Sequence, residues 1–427
     1  MDEKISLKYG EETVEIDVRG AASIETILPK PMEEITDLRK AFLRAVEQDA
    51  IGGVTLKDAV GPEDEVTIVV SDITRSWMHQ DRVMPLLVEY LHDRIGVPYE
   101  KTVILIALGT HRKSTPEEMV KICSKEVCDK VRVVDHDCDA DDLVYVGTTP
   151  LGTKVMMNPL VVGRKVIVMG GTVHHMMAGF GGGRKNLLPG VAGRETIRQN
   201  HERALDPEKA MSDVRVGCCK LTGNPIHEDM VEAAHLVHAD FGINLVVAAS
   251  GTHSGIFCGE MDAAWEASCE YQRKCYEIEV KEPADIVLCS SGGYPKDMNL
   301  YQGCKGMLNA MAGAEARRDH VLGLQVSRRG RRAGLFQLAE TAAGGAPGRV
   351  AAGGLYHRGL HLLFDCRAAE QGRSCLHTDG VGSRDGKAHG YGGRKRRRRA
   401  DRENRLYRQA RLCASAGRQR SARLKFF

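Results

Sequence analysis

The stretch KTVILIALGTH, residues 101–111, decides the fold. Its apolar centre does not alternate with polar residues, so both faces of the strand it forms are destined for burial, as in a parallel sheet covered on two sides. It ends at once in Gly-Thr-His, and in open α/β sheets the ligand crevice lies past the carboxyl ends of the strands. Moving outward, the same pattern recurs in VTIVVSD (66–72), KVRVVDHD (130–137), KVIVMGG (165–171), INLVVAAS (243–250) and ADIVLCSSGG (284–293). Helical periodicity lies between or after several of them, in RVMPLLVEYLHDRIG (82–96) and TPEEMVKICSKEVCDKV (115–131). It also precedes the first of them in EEITDLRKAFLRAVEQ (33–48), where Leu38, Phe42 and Val46 face one side. ISLKYG and ETVEIDV read as an N-terminal hairpin with a glycine turn. The expectation is a two-domain α/β protein with a parallel-sheet-rich N-terminal domain over 1–278. A second, incomplete α/β domain starts at 279–314, and the charged segment CYEIEVKEPAD (275–285) separates the two.

The chain has 427 residues, enough for two or three cores, and no apolar run long enough for a membrane helix. Its first residues, MDEKISLKYG, are charged and alternating, which reads as a strand rather than a signal peptide. The 13 cysteines are scattered through apolar and helical stretches, the usage of reduced thiols in the cytoplasm rather than of a disulfide framework. Net charge hides a split. Residues before 315 carry 34 Lys and Arg against 48 Asp and Glu; residues 315–427 carry 26 against 9, and 23 of those 26 are Arg.

That tail, with VSRRGRRAG, GGAPGRVAAGGLYHRG and GGRKRRRRADRENR, shows little periodicity of either kind. It reads as a basic nucleic-acid-binding arm, as an unusual folded domain, or as out-of-frame translation of a GC-rich gene. The last accounts best for the enrichment in Arg, Ala and Gly, so 315–427 is expected to be aberrant or poorly ordered, and nucleic acid is not expected as a partner.

The richest stretch for chemistry is GGTVHHMMAGFGGGRKNLLPGVAGRETIRQNH, residues 170–201. Gly179, Gly181, Gly182 and Gly183 would let backbone amides approach an anion. The loop is not a P-loop, because Arg184-Lys185-Asn186 replaces Gly-Lys-Ser/Thr. It is not a dinucleotide fingerprint either, because Arg184 takes the third glycine position. His111 follows a buried strand, where an imidazole serves acid–base work, metal binding or simply structure. Asp72 and Arg75 in SDITR stand at i, i+3: either a turn-stabilising ion pair, or one that leaves guanidinium donors for a substrate carboxylate. No zinc signature of the H-E-x-x-H or paired C-x-x-C kind is present. His235 and His238 read as surface or packing residues on a helix-like segment.

Taken together, SDITR, ALGTHR, HDC, VHHMMAGFGGGRK, NH, GNPIHEDM and GGYPKDMNLYQGCKGM resemble the nickel-dependent lactate racemase family over nearly all of residues 1–313. The resemblance implies an active site in a cleft between two α/β domains. It also implies a nickel pincer nucleotide, a pyridinium mononucleotide with sulfur and carbon ligands to nickel. By that resemblance Lys185 is the covalent tether, His201 the protein's nickel ligand, and His111 and His175 the acid–base pair. Asp72, Arg75, Gln302 and Lys305 are the polar set that holds cofactor or substrate, with Asp72 and Gly181, Gly182, Gly183 and Arg184 on the cofactor side. The activity implied is racemisation or epimerisation of a 2-hydroxy acid, with cofactor-making enzymes as partners. Trp77 and Met78 follow SDITR where substrate preference is set, so lactate is one candidate among hydroxy acids. Past residue 313 the motifs run out, leaving an inactive frameshifted member, or a nucleotide-dependent oxidoreductase on the same sheet, as alternatives.

Overall fold

The computed structural model describes residues 2–9, 11–18, 20–208, 211–280, 282 and 284–293, together with strands at 314–325, 373–379 and 422–426. The chain divides into two compact units. One comprises Met1–Leu28, Leu205–Ser212 and Ile278–Phe427; the other comprises Pro29–Ala204 and Asp213–Glu277. The boundary at 277/278 falls inside the charged segment singled out in the sequence. Residues 1–28 and 205–212, placed by sequence in a domain spanning 1–278, cluster with the other unit instead.

The larger unit is built on a six-stranded sheet in the spatial order His253–Gly259, Phe241–Val247, Lys165–Gly171, Val66–Ser71, Thr102–Ala107, Arg132–Asp135. Every neighbouring pair is parallel except His253–Gly259 on Phe241–Val247. The strands run as their sequences require: each residue of Val66–Ser71 and of Phe241–Val247 is buried, whichever face it points to. On one face Ile68, Val70, Ile104, Ile106, Ile167 and Leu245 pack against Phe42 and Val46 of helix Leu38–Glu47 and Met84 and Leu87 of helix Gln80–Glu89. Asp37 caps the first of these helices, accepting from the Lys40 N–H. At about 1.5–3 kcal/mol per fully buried large side chain, this layer is the main source of the unit's stability.

The chain goes outward from Val66–Ser71 through Thr102–Ala107 to Arg132–Asp135, then returns to the opposite side with Lys165–Gly171. The order of strands therefore reverses between Val66–Ser71 and Lys165–Gly171, the place where open α/β sheets hold their ligands. Asp72 and Thr172 are the first residues of those two loops.

The smaller unit contains the expected hairpin, Glu3–Tyr9 paired with Glu12–Val18. It also contains a parallel five-stranded sheet ordered Arg373–Asp379, Ala314–Gln325, Ala284–Ser290, Ala422–Phe426, Ala21–Thr26. Ile5, Ile16, Val18, Ala21 and Leu288 form its described core. Three of these strands fall in the arginine-rich tail; the remainder of that tail lies outside the described residues.

Candidate functional site

The described site residues belong to the larger unit. After Val66–Ser71 the chain enters a short 3-10 turn, Ile73–Met78, that places Asp72 beneath His111. The His111 Nδ1–H donates to Asp72 Oδ2 at 2.6 Å, and Thr74 Oγ1 donates to the other carboxylate oxygen at 2.6 Å. Asp72 is buried while His111 keeps 30% of its side chain exposed, so the ring is anchored at one nitrogen and presented at the other. Burial alone would push the Asp72 carboxyl up. The His111 hydrogen bond and charge, with Arg75 and Thr74, outweigh it and hold the group below the usual carboxylate range. An ionised Asp72 accepts only, so neutral His111 carries its proton on Nδ1 and its lone pair on Nε2. The i, i+3 pairing expected between Asp72 and Arg75 is indirect. Arg75 Nη1 donates to Thr74 Oγ1 at 2.8 Å, and Thr74 relays to Asp72.

His175 has the opposite polarity. It sits in the short strand His174–His175 opposite Ala178–Phe180, and its Nδ1 accepts from the Met177 and Ala178 N–H groups at 3.2 and 3.1 Å. A nitrogen that accepts two amides is unprotonated, which puts the proton of the neutral ring on Nε2.

His201 lies on helix Arg194–Glu202, fully buried, with Nδ1–H donating to the Ile197 carbonyl at 2.9 Å. Burial, helped by the nearby Lys185 charge, depresses its pKa to about 3. Lys185 therefore lies close enough to be felt by a neutral, Nε2-lone-pair imidazole, which is the donor form a metal takes, with the other ring nitrogen hydrogen-bonded to a backbone carbonyl. The helix is held from behind by its neighbour Asn200, whose Nδ2 donates to Asp229 Oδ2 at 2.9 Å.

The glycine loop departs from its sequence reading. Gly181 N–H is bonded to the Val173 carbonyl at 2.7 Å and Gly183 N–H to Asn244 Oδ1 at 3.1 Å. Those two amides are consumed within the fold. The glycines serve close packing instead: a Cβ on Gly183, at φ +46°, would stand 2.8 Å from the Trp265 ring. Arg184, expected on the cofactor side, is buried. Its guanidinium stacks 3.7 Å over Trp265, Nε donates to His227 Nδ1 at 2.9 Å, and Nη2 donates to the Ala178 carbonyl at 2.9 Å. Burial pushes its pKa down to about 9, the cost of placing a guanidinium in the interior, where it organises the loop.

Trp265, Asn244 and Asp229 carry this architecture and left no local trace in the sequence; only their buried partners reveal them. His136, at a strand end, turns out structural: Nε2 meets the Ala192 carbonyl at 3.0 Å and Nδ1 meets Asn158 at 3.2 Å. Gln302 and Lys305 lie outside the described residues.

The lactate racemase N-terminal domain matches residues 9–212, and the lactate racemase C-terminal domain matches residues 279–328. The chain belongs to the lactate racemase family. The second match runs past residue 313, so the family resemblance extends into the start of the arginine-rich tail. Among curated relatives, the lactate racemase of Thermoanaerobacterium thermosaccharolyticum is 35% identical over 268 residues, covering 62% of this chain and 60% of that protein. The lactate racemase of Lactiplantibacillus plantarum is 33% identical over 265 residues, covering 61% and 60%. The chain thus spans about 60% of the length of the curated lactate racemases it matches. Among solved structures, the lactate racemase apoprotein from T. thermosaccharolyticum superposes with a TM-score of 0.80 at 23% identity, covering 100% of this chain and 98% of that one. A protein from Thermotoga maritima gives 0.59 at 19% identity over 83% of this chain and 90% of its own. At these identities both show the fold.

Among the described residues no helix is long and apolar enough to cross a membrane.

Proposed function

We propose that this lactate racemase family member interconverts the enantiomers or epimers of a 2-hydroxy acid, lactate or a close relative, using a nickel pincer nucleotide tethered through Lys185. The observation that carries the proposal is the complementary protonation of two imidazoles: Asp72 leaves His111 with a lone pair on Nε2, and the Met177 and Ala178 amides leave His175 with a proton there. The pair holds one proton acceptor and one proton donor before substrate arrives.

The α-hydrogen of a 2-hydroxy acid is not acidic, so the reaction needs a hydride rather than a proton to leave carbon. When bound, the nucleotide supplies a reversible acceptor for that hydride. His201, buried and neutral, offers Nε2 to nickel, and Lys185 beside it offers the amine for the covalent link. His111 takes the hydroxyl proton as the carbonyl forms, and Asp72 stabilises the imidazolium that results. The 2-keto acid is planar and has two enantiotopic faces; when the hydride comes back to the face opposite the one it left, His175 gives its Nε2 proton to the oxygen, the Met177 and Ala178 N–H groups hold the charge left on its ring, and a proton passed through solvent from His111 to His175 restores both. Arg75, steadied through Thr74, anchors the carboxylate while the carbonyl turns. Gln302 and Lys305 complete the polar set by resemblance to the family. The reading places the enzyme in the cytoplasm, where cofactor-making enzymes load it.

The test is intact mass and nickel content of the full chain co-expressed with a pincer-cofactor pathway, wild type beside Lys185→Ala. An added mononucleotide mass with bound nickel, both lost in the variant, supports the proposal. Absence of the adduct from wild type whose larger unit is folded would sink it. Loaded protein is then assayed against lactate and a panel of 2-hydroxy acids by chiral chromatography.

A further inference from the structure

Beside the proposed catalytic histidine lies a cluster that the reaction does not use. His174, Cys219 and Glu277 come from three separate elements: the short strand His174–His175, the turn after Gly217–Cys218, and the C-cap of helix Met261–Tyr276. Their imidazole nitrogen, thiol sulfur and carboxylate oxygen all lie within 4.8 Å of one another, and all three residues are partly exposed. We propose that His174, Cys219 and Glu277 form a second metal site, for a zinc-like divalent cation, which pins the strand carrying His175.

The geometry is close to that of a bound ion. In a tetrahedral zinc site with Zn–N and Zn–O near 2.0–2.1 Å, the two donors stand about 3.3 Å apart; His174 Nε2 and Glu277 Oε1 are 3.3 Å apart. Thiolate, imidazole and carboxylate are the donor types zinc takes, and three protein donors leave a fourth position for water. Charge balances as well: thiolate and carboxylate neutralise a dication, while in the ion-free protein the Glu277 carboxylate is shared between His174 and Arg273.

The surroundings hold the donors in place. Cys219 has a positive φ of 63°, an unfavourable conformation for a side chain with a Cβ, and its N–H is tied to the Gly179 carbonyl at 3.2 Å. Arg273 Nη2 donates to the Cys219 carbonyl at 2.8 Å and Nη1 to Glu277 Oε1 at 3.2 Å. That is the outer-shell support a ligating carboxylate needs, with the guanidinium shifting to the second oxygen when the ion takes the first. The His174 ring rests 4.8 Å from Phe180, which fixes its plane. The Cys218 thiol lies near enough to Cys219 to act on it electrostatically, and Cys219 in turn on His174 and Glu277, so the four groups interact as one cluster.

The experiment uses the full chain, chelator-stripped and reduced with a phosphine, titrated with Co2+ and then Zn2+. One equivalent of cobalt should give a near-ultraviolet thiolate-to-metal band, and zinc should displace it. Removing a ligand costs at least what removing an outer-shell partner costs, so His174→Ala, Cys219→Ser and Glu277→Gln should each weaken cobalt binding by at least about tenfold. Cys219→Ser should also abolish the band. Cys128→Ser should bind as wild type. Zinc should raise the urea midpoint read by tryptophan fluorescence in wild type but not in Cys219→Ser. A wild type with native far-ultraviolet circular dichroism and no band overturns the proposal, as does a band that survives Cys219→Ser.

Discussion

Asp229→Ala removes the post behind His201. The Asp229 carboxylate is wholly buried and accepts from Thr149 Oγ1 at 2.6 Å, Thr153 Oγ1 at 2.8 Å and Asn200 Nδ2 at 2.9 Å; Arg203 Nε lies 3.2 Å away as an ion-pair partner off hydrogen-bond geometry. Alanine strands three donors and a guanidinium at once. Breaking a buried charged pair by removing one partner costs about 3–5 kcal/mol, and the orphaned hydroxyl donors keep the value at the upper end. Both tryptophans, Trp77 and Trp265, belong to the larger unit, so tryptophan fluorescence of the full chain reports that unit's unfolding. The urea midpoint should fall by roughly 1–2 M. Asp229→Asn keeps one acceptor and the shape, and should lose about 1–3 kcal/mol. Because Asn200 precedes His201 on the same helix, Asp229→Asn should also lower nickel retention in loaded protein. A loss under about 1 kcal/mol for the alanine variant would refute the claim that this network anchors the helix.

Asp72→Asn places an amide N–H against His111 Nδ1 and moves the ring proton to Nε2. Racemisation per bound nickel should fall by about 10²–10⁴, and kinetics with quantified nickel check it. Gly183→Ala drives a methyl into Trp265 from a positive-φ position and should cost about 2–5 kcal/mol, combining backbone strain and overpacking, read by the same urea titration. His201 and His227 both have folded pKa values pushed down to about 3, chiefly by burial. The unfolded chain takes up these protons near pH 6.5 and the folded one does not, so stability falls as pH drops from about 6.5 toward 3, by at most about 1.4 kcal/mol per pH unit for each group. His227→Gln should flatten that dependence, most visibly between pH 6 and 4, as followed by urea midpoints at each pH.

The sequence by itself determined the parallel sheet of the larger unit, because strands buried on both faces must be apolar along their whole length, and Val66–Ser71 and Thr102–Ala107 could be nothing else. It also determined that His111 and Asp72 stand at strand ends, since a glycine or polar residue directly after such a run marks the edge of the sheet. What lay outside its reach was pairing across distance. That Asp72 serves His111, rather than Arg75 directly, depends on a 3-10 turn meeting a loop thirty-nine positions on. That Gly183 makes room for Trp265 and gives its amide to Asn244, and that Arg184 is interior, depends on a strand about sixty residues and a helix about eighty residues downstream. Local sequence specifies which residues can be buried and where chains must turn. Only the tertiary structure decides which buried polar groups satisfy one another, because every buried donor and acceptor must find a partner and that partner is chosen by the packing of the whole unit.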